Sequence, residues 1–248
     1  MKISIVTVSY NSADTIKDTI ESVVHQKDVE LEYIIVDGGS TDGTVEIVES
    51  YGDKIHQFVS EADKGIYDGM NKGVAMATGD VIGILNSDDL YTNNEVLKNV
   101  LAKFEDAIDG VYANLVYVDQ NDLNKVRRTW ISGNYIEGSF KKGWMPPHPT
   151  FFVRKKYYEK YGSYSLNLRS AADYELMLRF IHKNKINLAY LNEVIVKMRI
   201  GGQSNASLKN RLKANKEDRM AWKMNGLKPS PLTFIRKPIS KIGQFFKR

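Results

Sequence analysis

The stretch Asn86-Ser87-Asp88-Asp89 directly follows the apolar run Val81-Ile82-Gly83-Ile84-Leu85. Two adjacent carboxylates at the exit of a buried strand are costly to hold unless donors or a cation meet them, or they take up a proton. Oxygen-rich sites of this kind suit Mg²⁺ or Mn²⁺, ions that commonly bridge a protein to phosphate groups. Three other short segments carry groups suited to a nucleotide: Ser9-Tyr10-Asn11, Asp37-Gly38-Gly39 and Glu61-Ala62-Asp63-Lys64-Gly65. Tyr10 is a flat stacking surface for a base, and Asp37 can accept a hydrogen bond from a base N–H. Lys64 can offset phosphate charge, and Asp88-Asp89 can seat a metal on a pyrophosphate. Each group has an ordinary alternative: Tyr10 as core, Asp37 as a helix cap, Lys64 as solvated charge, the Asp pair as a turn. Four suitable groups at the ends of four successive strands make coincidence the poorer account.

The elements that must position these loops alternate. Lys2–Val8 reads as a β-branched strand, and Asn11-Ser12 is expected to cap a helix with Ile16, Ile20, Val23 and Val24 on one face. Leu31–Val36 is a second strand, followed by a short helix through Val45 and Val48. His56–Ser60 is a third strand and Tyr67–Ala77 a third helix. Val81–Leu85 is the central strand, and Val96, Leu97, Val100, Leu101 and Phe104 mark another amphipathic helix. Such β-α units imply an α/β fold with a mainly parallel central sheet flanked by helices, whose ligands gather at the carboxyl ends of the strands.

The second half changes character. Val111–Val118 and Lys125–Trp130 read as a hairpin, and Ile131–Pro149 as an ordered loop or lid. Thr150–Arg154 is a short strand and Asp173–Ile181 a helix. Ile186–Leu191 and Val194–Ile200 are expected to close the core as two strands.

The 248 residues can bury one large core, and 42% hydrophobic with 26% charged residues fits a globular protein. The absence of cysteine rules out disulfides and thiolate-zinc sites and is compatible with a reducing cytoplasm. Met1-Lys2 runs straight into a strand, unlike a secretory signal, and no run approaches the roughly 18 apolar residues of a membrane span. The net charge of +5 is unevenly spread: Leu208–Arg248 holds 12 Lys/Arg against Glu217 and Asp218, so the preceding body is mildly acidic. That argues against a nucleic-acid partner and for an anchor at one end.

Four segments in order and spacing resemble the successive signatures of family 2 glycosyltransferases. They are Val8-Ser9-Tyr10-Asn11-Ser12, the run from Val36 to Thr44, the run from Ser60 to Asp68, and Asn86-Ser87-Asp88-Asp89. The likeness is greatest to members that build bacterial surface polysaccharides such as O-antigen and capsule. It implies the GT-A fold over 1–205, with 1–118 as the nucleotide-sugar half, 119–205 as the acceptor half, and 206–248 as a basic, partly helical extension.

The resemblance also implies a nucleoside diphosphate sugar donor, most often UDP-linked, and inversion at the anomeric carbon. Ser9, Tyr10, Asn11, Asp37, Asp63, Lys64 and Asp88 would then bind the donor, with Asp89 on Mn²⁺ or Mg²⁺. Ser87 stands where many relatives carry the first acid of an Asp-x-Asp triplet. Asp173, in Ala171-Ala172-Asp173-Tyr174-Glu175, matches the family's general base, with Glu175 the competing carboxylate and Ala172 replacing the usual preceding acid. A first-turn acid favoured by the helix dipole is the bland reading of Asp173. His148 matches an acceptor-side position. Arg199 falls near the leaving pyrophosphate, although Gly201 replaces the usual His of an Arg-x-His. Gly201-Gly202-Gln203-Ser204 suits a segment that closes over the donor.

In the tail, Phe234, Ile235, Ile239, Ile242, Phe245 and Phe246 interleave with Arg236, Lys237, Lys241, Lys247 and Arg248. Such a segment suits peripheral attachment to the inner membrane leaflet, where a lipid-linked or oligosaccharide acceptor would be found. Packing of the same aromatics on the body or on a second subunit is the alternative. A sugar-nucleotide-binding scaffold that lost turnover is the rival function, suggested by Ser87, Ala172 and Gly201 and opposed by Asp89 with Asp173.

Overall fold

The computed structural model describes residues 1–201, 208–230 and 233–234. Its first half repeats strand and helix: β1 (Lys2–Ser9), α1 (Ile16–Val24), β2 (Glu30–Asp37), α2 (Thr44–Glu49), β3 (Gln57–Ser60), α3 (Ile66–Met76) and β4 (Val81–Ile84). These four strands pair in parallel, β3 with β2, β2 with β1, and β1 with β4. Ile3, Ile5, Val6, Ile34, Ile35, Val81 and Ile82 are fully buried, which is why these strands read as unbroken apolar runs rather than alternating ones. Helix α3 lies close on the sheet because Gly73 faces Val6: a Cβ at Gly73 would stand 2.2 Å from Val6 Cγ1.

The second half adds β5 (Asp89–Tyr91), α4 (Val96–Leu101), β6 (Gly110–Val118), β7 (Val126–Trp130), β8 (Phe152–Arg154), α5 (Lys155–Tyr161), α6 (Ala172–Met177) and β9 (Leu188–Arg199). Strand order along the sheet is β3-β2-β1-β4-β8-β6-β9-β5, with β7 paired to β6. The sheet is therefore mixed. Its parallel half carries the first loops, while β8 pairs antiparallel with β4 and β6, and β9 runs parallel to β6 and antiparallel to β5.

Several local expectations change. Asn11 and Ser12 do not cap α1: the chain first makes a turn, with the N–H groups of Thr15 and Ile16 both donating to the Ser12 carbonyl. The two expected closing strands are one, β9, whose pairing with β6 shifts register near Asn114. The strand expected from Thr150 starts at Phe152, after a 3₁₀ turn over His148–Thr150. The 131–149 segment is fastened down, since Ser132 N–H donates to Asn114 Oδ1 (2.8 Å) and Trp144 Nε1 to the Ser132 carbonyl (2.8 Å).

The basic extension begins as a further helix, α7 (Leu208–Met224), docked on α6. Trp222 is buried and its Nε1 donates to Tyr174 Oη (2.8 Å), while Glu217 accepts from the Ser170 N–H and hydroxyl. Beyond it, Thr233 bonds the Lys141 carbonyl and Phe234 packs against the core. The interleaved residues from Ile235 onward, and Gly202-Gln203-Ser204, lie outside the described residues.

Candidate active site

Strand register assembles the first part of the site. Ser9 pairs with Asp37 and Asp37 with Ser60, so the ends of β1, β2 and β3 stand side by side. Asp37 is fully buried, and its carboxylate accepts five bonds: from Ser9 Oγ, Ser60 Oγ, Ser40 Oγ, and the N–H groups of Gly39 and Ser40, at 2.5–3.1 Å. Burial would raise this carboxyl, but the donors led by Ser40 outweigh it and hold Asp37 below its usual range. Five donors exhaust a carboxylate's acceptor capacity. Asp37 thus shapes the loop from beneath, and Ser9 holds Asp37 in turn.

The open face lies just above. Tyr10 is 62% exposed. A Cβ at Gly38 would stand 2.8 Å from Asp63 Oδ2 and 3.4 Å from Tyr10 Cδ2, so Gly38 is the floor of a shelf walled by a carboxylate and an aromatic ring. Asp63 Oδ1 takes the Gly65 N–H (2.7 Å), whereas Oδ2 makes no hydrogen bond among the described residues. Asn11, at φ 48°, accepts the Thr41 N–H and donates its own N–H to Ser40 Oγ, clamping the two loops together. Lys64 is exposed at the rim.

The acidic pair follows β4. Asp89 begins β5 and is fully buried, yet its Oδ1 has no hydrogen-bond partner and Oδ2 has only a 3.4 Å contact with Asn86 Nδ2. Burial, then the neighbouring Asp88 charge, pushes the Asp89 carboxyl well up. Asp88 is also raised by burial, with Arg199 and His148 opposing. Arg199 donates to the Asp88 carbonyl (2.9 Å) through one nitrogen and pairs with Asp18 on α1 through another, so it ties the acidic turn to that helix. An orphaned, buried oxygen on an acidic pair fits a hard divalent cation. Among the described residues no group of three His, Cys, Asp or Glu could hold an ion alone, so a cation here would need ligands from a substrate as well.

Asp173 lies in the first turn of α6, half-buried, and Tyr67 Oη donates to its Oδ1 at 3.0 Å. His148 has a buried Nε2 without a partner. Burial lowers its pKa, and the charges of Asp173 and Asp88 pull it back up. Tyr117 on β6 likewise feels both Asp89 and Asp173. The two carboxylate centres are therefore both within electrostatic reach of His148 and Tyr117. Glu175 does not: it is buried and forked with Arg179 (2.9 Å from Nε to Oε1 and from Nη2 to Oε2), and Asn225 of the extension binds its Oε1 (2.8 Å). That pairing corrects its placement on the acceptor side, and the Glu-x-x-x-Arg spacing was its signal. Tyr67 and Asp18 escape sequence reading, since their partners are 106 and 181 residues away.

The sequence matches the description of glycosyl transferase family 2 over residues 4–173. It is 29% identical over 188 residues to an uncharacterized glycosyltransferase of Mycobacterium tuberculosis, covering 71% of this chain and 68% of that one. It is 26% identical over 215 residues to a PGL/p-HBAD biosynthesis glycosyltransferase of Mycobacterium bovis, covering 82% and 78%. Among solved structures it is similar to residues 1–349 of S. aureus TarS in complex with UDP (TM-score 0.66, 21% identity, 89% of this chain, 65% of that one). It is also similar to the Pyrobaculum calidifontis mannosyltransferase PcManGT in complex with GDP-Man and Mn²⁺ (TM-score 0.67, 18% identity, 96% and 67%). Both likenesses are of fold.

Proposed function

Because this chain belongs to glycosyl transferase family 2, we propose that it is an inverting glycosyltransferase moving a sugar from a nucleoside diphosphate, UDP in the first instance, to an acceptor hydroxyl. The observation that carries this reading is the pairing of a buried, unpartnered Asp89 oxygen with a half-buried Asp173 whose charge reaches the same His148 as Asp88. The donor base would stack on Tyr10, with its imide N–H directed to Asp63 Oδ2. Lys64 would lie at the phosphate rim. Asp89, with Asp88 beside it, would hold Mn²⁺ or Mg²⁺, which when bound neutralises charge on the leaving diphosphate.

Asp173 would accept the proton of the acceptor hydroxyl as its oxygen bonds to the anomeric carbon, while the bond from that carbon to the diphosphate oxygen breaks with its electron pair. The leaving group departs from the opposite face, which inverts the centre. Arg199 would support this by holding the Asp88 backbone in place.

Thermal unfolding in a panel of nucleotides tests the reading. UDP or another nucleoside diphosphate with Mn²⁺ is expected to raise Tm through selective binding to the native state. Tyr10→Ala should weaken that nucleotide about tenfold, as loss of one base stack costs ~1–3 kcal/mol. No stabilisation by any nucleotide with cation would overturn the reading.

The acceptor we infer is lipid-linked, in surface polysaccharide or glycolipid synthesis, met by a protein held at the inner leaflet by residues beyond Phe234. No helix of the described residues is long and apolar enough to cross a membrane. The full chain is expected to float with anionic liposomes and a chain ending at Phe234 to sediment; equal recovery of both would exclude the anchor.

A further inference from the structure

On the reading of Asp173 as the base, we propose that Tyr67 is the positioning residue that aims it. Tyr67 is only 8% exposed, and its hydroxyl reaches across 106 residues to donate to Asp173 Oδ1 at 3.0 Å. Oδ2 makes no hydrogen bond among the described residues, so the contact fixes one oxygen and presents the other to an incoming hydroxyl. A carboxylate in a first helical turn otherwise rotates freely about two side-chain bonds, and a base misaimed by an ångström loses much of its rate.

The donor is itself held. Its ring stacks on Tyr164 with centroids 5.8 Å apart and planes 17° from parallel. Tyr164 is in turn gripped by Asn71, one turn further along α3, which donates to its carbonyl (2.9 Å) and accepts its N–H (2.8 Å). Burial, followed by the Asp173 charge, keeps the Tyr67 phenol protonated far above neutral pH.

Position in the chain gives the contact a second consequence. Tyr67 stands two residues after Gly65, which opens α3, and Gly65 N–H is bound by Asp63 of the donor shelf. The loop that would meet the base of the nucleotide and the hydroxyl that aims the general base thus lie within one short stretch of chain at the start of α3.

The test is Tyr67→Phe, which keeps the ring and its stack on Tyr164 and removes only the hydroxyl. Sugar transfer is expected to show kcat lowered about tenfold, in line with loss of one hydrogen bond to a charged group. Donor KM should stay within about twofold and Tm within a few degrees. Tyr67→Ala, which also deletes the stack, should lower Tm, separating packing from aim. The proposal is overturned if Tyr67→Phe keeps kcat within about twofold of wild type, or if its kcat loss comes with a matching rise in donor KM. An inactive wild type, or an Asp173→Asn variant with unreduced transfer, would instead defeat the reading of the base on which this rests.

Discussion

Asp173→Asn is expected to lower kcat for sugar transfer by about 10³, within the ~10²–10⁴ range that general base catalysis contributes. The amide keeps the size of the side chain and its carbonyl oxygen can still accept the Tyr67 hydroxyl. What it loses is the capacity to take a proton from the acceptor. Donor affinity, measured by nucleotide-induced Tm shift, should therefore be unchanged. Because Glu175 is locked between Arg179 and Asn225, it offers no substitute carboxylate. Transfer by Asp173→Asn at the wild-type rate would remove Asp173 as the base and favour a binding role for the site.

Asp89→Asn is expected to move stability and function in opposite directions. The native carboxylate is fully buried with one oxygen unpartnered, and Asn86 Oδ1 nearby is a second buried acceptor without a donor. An amide nitrogen introduced at position 89 supplies a donor to that acceptor pair and removes a charge that burial disfavours. We expect the cation-free variant to gain about 2 kcal/mol, from the ~1–3 kcal/mol cost of an unsatisfied buried group, and so several degrees in Tm. Nucleotide binding should lose its dependence on Mn²⁺, and transfer should fall about 100-fold or more.

The pH dependence follows from the raised Asp89 pKa. The folded protein holds this proton more tightly than the unfolded chain, whose aspartates titrate near ~3.9. Stability from this group is therefore full below that value and declines as pH rises through the higher folded pKa. Tm measured against pH without cation should show that decline in the wild type and lack it in Asp89→Asn. A variant less stable than wild type, still requiring Mn²⁺, would exclude this account of the acidic pair.

The parallel half was legible because buried strands leave an uninterrupted apolar signature and their turns carry the polar groups. Those turns bring Ser9, Asp37 and Ser60 side by side at the strand ends and put Asp88-Asp89 after β4. Their division of labour was not legible: whether Asp37 or Asp63 faces solvent depends on which serines reach it, and Ser40 and Ser60 are unremarkable in sequence. Strand β5 leaves no mark in the sequence because three residues beginning with Asp offer no alternation to read. Helix α5, Lys-Lys-Tyr-Tyr-Glu-Lys-Tyr, hides its inward face behind tyrosines and lysines that look solvated. Strand β9 reads as two in sequence because Asn192-Glu193 interrupts its apolar run, although the backbone carries on through that interruption.

The docking of Trp222 and Asn225 against the reverse side of α6 bears on any attempt to redesign or shorten the molecule. The segment that looks in composition like a disposable appendage serves as a buttress for the turn that bears Asp173. Trimming at 205 would strand the Glu175–Arg179 fork and bare the Tyr174 ring to water. Loss of turnover in such a shortened chain would then report a collapsed foundation rather than a missing tether to lipid.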